Sequence, residues 1–205
     1  MSEHFSSVEK AMCCEFEKRF PVNISYVTVK NFPQLGLLTA LRFLEWVAEN
    51  PDGVISLPTG KTPEYFISWT KFILDNWDKP DGQTFRKDHG LLIDQKPSLK
   101  NLHFVQIDEF YPISLKQHNS FYHYVQKYYV EDFGLDKNKG LFINCDEINL
   151  AEDKHFDEIF PEGIVDLGLR YREPKTVLEK LQQRSIFMID AWCTAYEDKI
   201  REKGG

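Results

Sequence analysis

Val54-Ile55-Ser56-Leu57-Pro58-Thr59-Gly60-Lys61-Thr62-Pro63 is the stretch that decides how this chain is read. Val54 to Leu57 is a short apolar run following the Pro51-Asp52-Gly53 turn signal, as a buried strand would. Thr62, Pro63 and Glu64 read as a helix start. Thr62 can cap free backbone N–H groups, Pro63 loses nothing at the first helical position, and Glu64 suits the helix dipole. Between strand and helix lies Pro58-Thr59-Gly60-Lys61, a loop with a flexible glycine, a cation and hydroxyls on both sides. A strand feeding a tight glycine turn into a helix N-terminus is a ready anion site, most often for phosphate. It is not a nucleotide P-loop, whose first glycine would stand where Ile55 does. The bland alternative is an ordinary strand-to-helix turn with a solvated lysine.

The 205 residues suffice for one sizeable core, so a single domain over residues 1–205 is the default. Hydrophobic residues make up 42% and aromatics 14%, which excludes a disordered chain. The net charge of −7, with no Lys/Arg-rich run, argues against a general nucleic-acid or anionic-membrane binder. Any phosphate site must then be local, built from a loop and a helix end. No run approaches the roughly eighteen apolar residues of a membrane span, and the N-terminus lacks signal-peptide features. Cys13 and Cys14 are adjacent and Cys145 and Cys193 stand alone, without zinc spacing, as expected of reduced thiols in a cytoplasmic protein.

Along the chain, Phe5, Val8, Met12 and Phe16 predict an amphipathic helix over 3–19, and Ile24 to Val29 predicts a first strand. Leu37, Leu38, Leu41, Leu44 and Val47 predict a helix from about Pro33 to Glu49, and Tyr65, Phe66, Trp69, Phe72, Ile73 and Trp77 another. Residues 78–101 read as a long surface excursion. Leu102 to Ile107 is a strand ending at Asp108-Glu109. A helix follows, capped by Asn119 or Ser120, with Tyr122, Val125 and Tyr129 on one face, and Leu141 to Ile143 is a further strand. Residues 145–184 read as an insertion with a short helix and little regular structure. Ile186, Ile189, Cys193, Tyr196 and Ile200 mark a final helix running to Gly204. The alternation implies an α/β domain with a largely parallel sheet, whose ligands gather at the carboxyl ends of the strands. Thr59–Thr62 and Asp108-Glu109 would then share one sheet edge.

Asp108 and Glu109 stand where an apolar strand meets a loop, and side-chain alternation should turn them in different directions. With Val105-Gln106-Ile107 before and Phe110-Tyr111-Pro112 after, apolar surroundings would raise a carboxylate pKa toward the range of a general base. An arbitrary Asp-Glu pair would simply be solvated. His4, His89, His103, His123 and His155 match no ligand spacing. His118 is a better candidate for the pocket side, against a purely structural place at a helix start.

These stretches carry a resemblance. Leu57 to Pro63 resembles the phosphate loop of glucosamine-6-phosphate deaminases. Ile107-Asp108-Glu109-Phe110-Tyr111, with His118-Asn119-Ser120-Phe121 behind it, resembles that family's Asp-Glu-Tyr strand end and following helix start, and Asp190 to Lys203 is similar to its next helix. The resemblance implies a modified doubly wound α/β fold. It implies conversion of glucosamine 6-phosphate to fructose 6-phosphate and ammonia, with no metal or other cofactor, by a homo-oligomer when complete. Thr59, Gly60, Lys61 and Thr62 would cradle the sugar phosphate, and Asp108 would move a proton between C2 and C1 of the opened sugar. Glu109 and His118 are possible pocket residues. Lys61 stands where the family has a small residue. The family's later Asp-Gly-His stretch, which carries its ring-opening groups, has no counterpart, so the chain is expected to be an N-terminal portion that does not deaminate by itself. Excursions 78–101 and 145–184 exceed the family's connections and receive no role. Two other activities stay open: a 6-phosphogluconolactonase-like hydrolase, and a non-catalytic sugar-phosphate-binding module.

Overall fold

The computed structural model describes residues 6–12 and 27–203. It is an α/β arrangement: a small parallel sheet with flanking helices. In chain order come α1 (Ser7–Met12), α2 (Phe32–Glu49), β1 (Val54–Leu57), α3 (Glu64–Asp75), α4 (Pro80–Asp88) and β2 (His103–Gln106). Then follow α5 (Phe121–Tyr124), continued by a wider π-type turn over Val125–Asp132, β3 (Gly140–Leu141), α6 (Phe156–Ile159) and α7 (Val177–Glu202). The strands lie in the order β1-β2-β3. Both pairings are parallel, with Val54 opposite His103, Leu57 opposite Gln106, and Val105 opposite Leu141. The expected parallel sheet is therefore present, and all three carboxyl ends open on one edge.

The middle strand is the buried one. Phe104, Val105 and Gln106 are at most 4% exposed. In β1 only Leu57 is buried, which corrects the expectation of a fully buried strand. Among the described residues β1 pairs on one side, and with a single face on the core it leaves Val54 and Ser56 outward. The main core joins α2 (Leu37, Leu41, Leu44) and α3 (Phe66, Ile73) to Leu57, Phe104, Val125 and Tyr129. Helix α2 begins under an Asn31 cap that accepts from the Gln34 N–H at 3.0 Å.

Several expectations change. The 78–101 excursion contains α4, which starts on Pro80 and stacks Phe85 on Trp69 at 5.6 Å. The Arg86 guanidinium lies 3.6 Å over the Trp77 ring and donates to Trp77 O and Ile93 O, stapling the segment down. A Cβ on Gly82 would sit 1.9 Å from Asn76 O, so only glycine lets α4 approach the end of α3 this closely. Residues 145–176 hold one short helix, α6, among brief 3₁₀ turns, so regular structure is sparse there as expected, but the segment is compact. Leu150, Ala151, Ile159, Phe160 and Leu169 pack with Leu181 and Ile186 of α7 into a second core. Helix α7 starts at Val177, well before the apolar stripe suggested, because Thr176 caps it by accepting from the Glu179 N–H at 3.0 Å. Of the expected first strand, residues 24–26 lie outside the described residues, and Val27 to Val29 run without strand pairing. The expected helix over 3–19 is described only as α1, and Cys13 and Cys14 lie outside the described residues.

Candidate functional site

Two loops leave adjacent strands at the same edge. From β1 the chain enters Pro58-Thr59-Gly60-Lys61-Thr62, and Gly60 takes φ +86. A side chain there would meet no atom within 4 Å, so glycine serves the left-handed turn rather than a close approach. The Glu64 N–H donates to Lys61 O, closing the turn onto α3. Among the described residues, no backbone carbonyl outside the regular elements takes the N–H groups of Thr59, Gly60, Lys61 or Thr62. Thr62 does not cap α3 as expected: Pro63 occupies that position without a side-chain bond. The extra turn residue moves the Thr62 hydroxyl to the surface, where Lys61 also lies. The start of this loop is held from the other side. The buried Tyr129 hydroxyl donates to Pro58 O at 2.5 Å, and burial pushes that phenol far above its ordinary pKa, so it stays a donor.

From β2 the chain enters Ile107-Asp108-Glu109. The Thr59 hydroxyl donates to Asp108 Oδ1 at 3.5 Å, a long contact that brings the two expected site stretches side by side. Asp108 is exposed, and Ile107 and Phe110 are 57% and 59% exposed, so the apolar burial expected around this carboxylate is not present. The strand ends at Gln106; beyond it Phe110 meets the Phe121 ring at 5.1 Å, on the α5 side rather than around Asp108. Glu109 turns elsewhere. Its carboxylate accepts from the Ser120 hydroxyl at 2.8 Å, from the Phe121 and Tyr122 N–H groups at 3.0 and 2.8 Å, and from the Phe110 N–H at 3.0 Å. The Phe121 and Tyr122 N–H groups are free donors at the start of α5, where a negative charge is doubly favoured. Ser120 completes the cap by accepting from the His123 N–H at 3.3 Å. His118 is exposed and makes no hydrogen bond among the described residues.

Two of the cavities formed by the described residues lie beside this edge. The larger, about 790 Å³, lies between α2, β1 and the start of α3. Phe32, Leu35, Phe43, Trp46 and Leu57 make it predominantly apolar, with Thr62 at its margin and Asp108 outside it. A second, about 660 Å³, separates the Tyr111–Gln117 loop from residues 145–157 and is lined by Asp146, Asp153, Lys154 and His155. The Cys145 thiol borders it and bonds Phe110 O at 3.5 Å. Burial pushes its pKa up to about 11, so it is a neutral thiol at physiological pH rather than a nucleophile. No cluster of metal-ligating side chains occurs among the described residues, and no described helix is long and apolar enough to cross a membrane.

No protein-family model matches the sequence, and neither does any curated protein. Among solved structures, the chain is similar to a monomeric glucosamine-6-phosphate deaminase described as a missing link of the NagB superfamily. The TM-score is 0.45 at 20% identity, over 58% of this chain and 42% of that one. The matched region thus spans less than half the length of that protein. At this level of overlap the likeness decides nothing about activity.

Proposed function

We propose that this chain binds a sugar phosphate at the β1–α3 loop and that Asp108 shuttles a proton between C2 and C1 of the opened sugar, as in a glucosamine-6-phosphate deaminase/isomerase. The observation that carries the proposal is the pairing of Thr59 with Asp108 across adjacent parallel strand ends. An anion held on the Thr59–Thr62 N–H groups would leave the rest of a hexose phosphate extending over the neighbouring carboxylate. The N–H groups, which have no backbone acceptor outside the regular elements among the described residues, the left-handed Gly60 turn and the exposed Thr62 all suit phosphate oxygens. Lys61 adds a cation at the rim.

A carboxylate with one light contact is free to take a proton from C2 and return it to C1 on the same face. Glu109, committed to four donors, is not. Glu109 accordingly anchors the loop, and a doubly wound sheet of which β1-β2-β3 is one part completes the architecture.

The test is calorimetry with glucosamine 6-phosphate, fructose 6-phosphate and inorganic phosphate, followed by hydrogen exchange at C1 and C2 in heavy water. Exchange that Asp108→Asn lowers by roughly 10²-fold to 10⁴-fold, with binding retained, supports the proposal. Binding without exchange identifies a sugar-phosphate module instead, and hydrolysis of a phosphogluconolactone identifies the hydrolase.

A further inference from the structure

Gln106 is the last residue of β2, and its side chain is wholly buried. A buried primary amide needs partners for both its ends. Here Nε2 donates to Asp108 O at 2.9 Å, and Oε1 accepts from the Ile143 N–H at 3.1 Å. The β2–β3 ladder stops at Val105 opposite Leu141, so beyond that rung the two chains part. The Gln106 amide spans the opening in the manner of an extra peptide group, joining the Asp108 loop to the exit of β3.

The other side of this junction is also tied. The Tyr196 hydroxyl of α7 lies 2.6 Å from Gln106 O and 3.0 Å from Leu141 O, and its one proton serves both carbonyls. Tyr196 is held by its ring, which stacks on Trp192 at 5.4 Å. The N-terminal half of α7 is in turn seated on the second core built by residues 150–169.

We infer that Gln106 is the positioning residue for Asp108, with Tyr196 as the strut beneath it, and that the 145–184 segment acts on the site by seating the helix that carries that strut. The catalytic part of this inference rests on Asp108 being the proton-transferring carboxylate. Among the described residues, the Asp108 side chain is exposed and its sole hydrogen bond is the 3.5 Å contact with Thr59, so its placement comes from its backbone. That backbone is fixed by the Leu57–Gln106 rung on one side and by the Gln106 amide on the other. Position matters here because a displacement of about 1 Å in a reacting group can cost on the order of 10²-fold in rate.

Gln106→Met keeps the length and volume of the side chain and removes both hydrogen bonds. In the purified protein, amide exchange at Ile143 and at Phe110, whose N–H groups are bonded at this junction, should quicken by about 10-fold or more, the worth of a lost buried bond, with the Val54–Ser56 and His103–Val105 rungs unchanged. Under the proposed activity, kcat should fall roughly 10-fold to 100-fold with KM nearly unchanged. The same substitution in an Asp108→Asn background should cost nothing further. Tyr196→Phe keeps the ring stack and removes only the hydroxyl. It should show the same pattern at smaller amplitude, and it decides the matter if Gln106→Met fails to fold. Unchanged exchange at Phe110 overturns the positioning role whether or not the wild-type protein turns over any sugar phosphate. Quickened exchange with unchanged kcat also overturns it. Absence of C1 and C2 hydrogen exchange by the wild-type protein overturns the proposed activity alone, and the amide-exchange measurement still decides the geometry.

Discussion

Replacing Glu109 by glutamine would separate the anchoring carboxylate from the reacting one. In the native arrangement Oε1 accepts from the Phe110 and Phe121 N–H groups, and Oε2 accepts from the Ser120 hydroxyl and the Tyr122 N–H. A glutamine amide can be turned either way, but each way sets its NH₂ against two donors. With the NH₂ at the Oε2 place, Ser120 can turn and accept, and the Tyr122 N–H is stranded. With it at the Oε1 place, two N–H groups are stranded. Bonds to a charged acceptor contribute about 1.5–3 kcal/mol each, less where half-exposed, so a net loss of about 2 kcal/mol is expected. For a domain of this size that corresponds to roughly 4–8 °C in Tm. Asp108→Asn, by contrast, removes charge from an exposed side chain with one long contact, and its stability should change by less than about 0.5 kcal/mol. The assay is urea denaturation of both variants beside the wild type, with amide exchange at Phe121–His123 locating the change. Equal midpoints for wild type and Glu109→Gln, or a larger loss for Asp108→Asn, would refute the assignment of anchor and base.

Thr62→Ala should weaken binding of a phosphate ester by about 1 kcal/mol or somewhat more, read by calorimetry, with fold stability nearly unchanged because Thr62 does not cap α3. Gly82→Ala should destabilise by about 1–3 kcal/mol in denaturant melts, although alanine is the better helix former, because its Cβ would collide with Asn76 O. Glu179 is held down to about 2 from the ordinary 4.5, first by its hydrogen bond with Arg172 and then by the Lys175 N–H. A depressed folded-state pKa stabilises above the unfolded value and loses that contribution on acidification. Exchange protection at the start of α7 should therefore fall between about pH 4.5 and about 2, and Arg172→Met should abolish most of that dependence.

The sequence by itself determined the elements whose signals are local. The stripe of Leu37, Leu41 and Leu44 marked α2, the Val54–Leu57 run marked β1, and Ser120 ahead of Tyr122 marked a helix start, because periodicity and capping are properties of neighbours in the chain. The strand-end rule also brought Thr59 and Asp108 together, since the parallel order that it presupposes is what strand–helix alternation favours. Tertiary structure decided what depends on distant partners. The single aromatic of α4, Phe85, carries no periodic signal, and its helix is held by Trp69 and Trp77 from another segment. The apolar residues around Asp108 did not bury it, because hydrophobicity in sequence says nothing about whether a second layer covers that edge. Gln106 read as one polar residue in an apolar strand. Its amide gained meaning only when Ile143 and Asp108, 37 and 2 residues away, came within reach of its two ends. Tyr196 read as one position on a helical face, and only the fold set its hydroxyl over two strand carbonyls 90 and 55 residues away. Hydrogen bonds across such spans leave no trace in local pattern, because any tyrosine or glutamine satisfies the local pattern equally well.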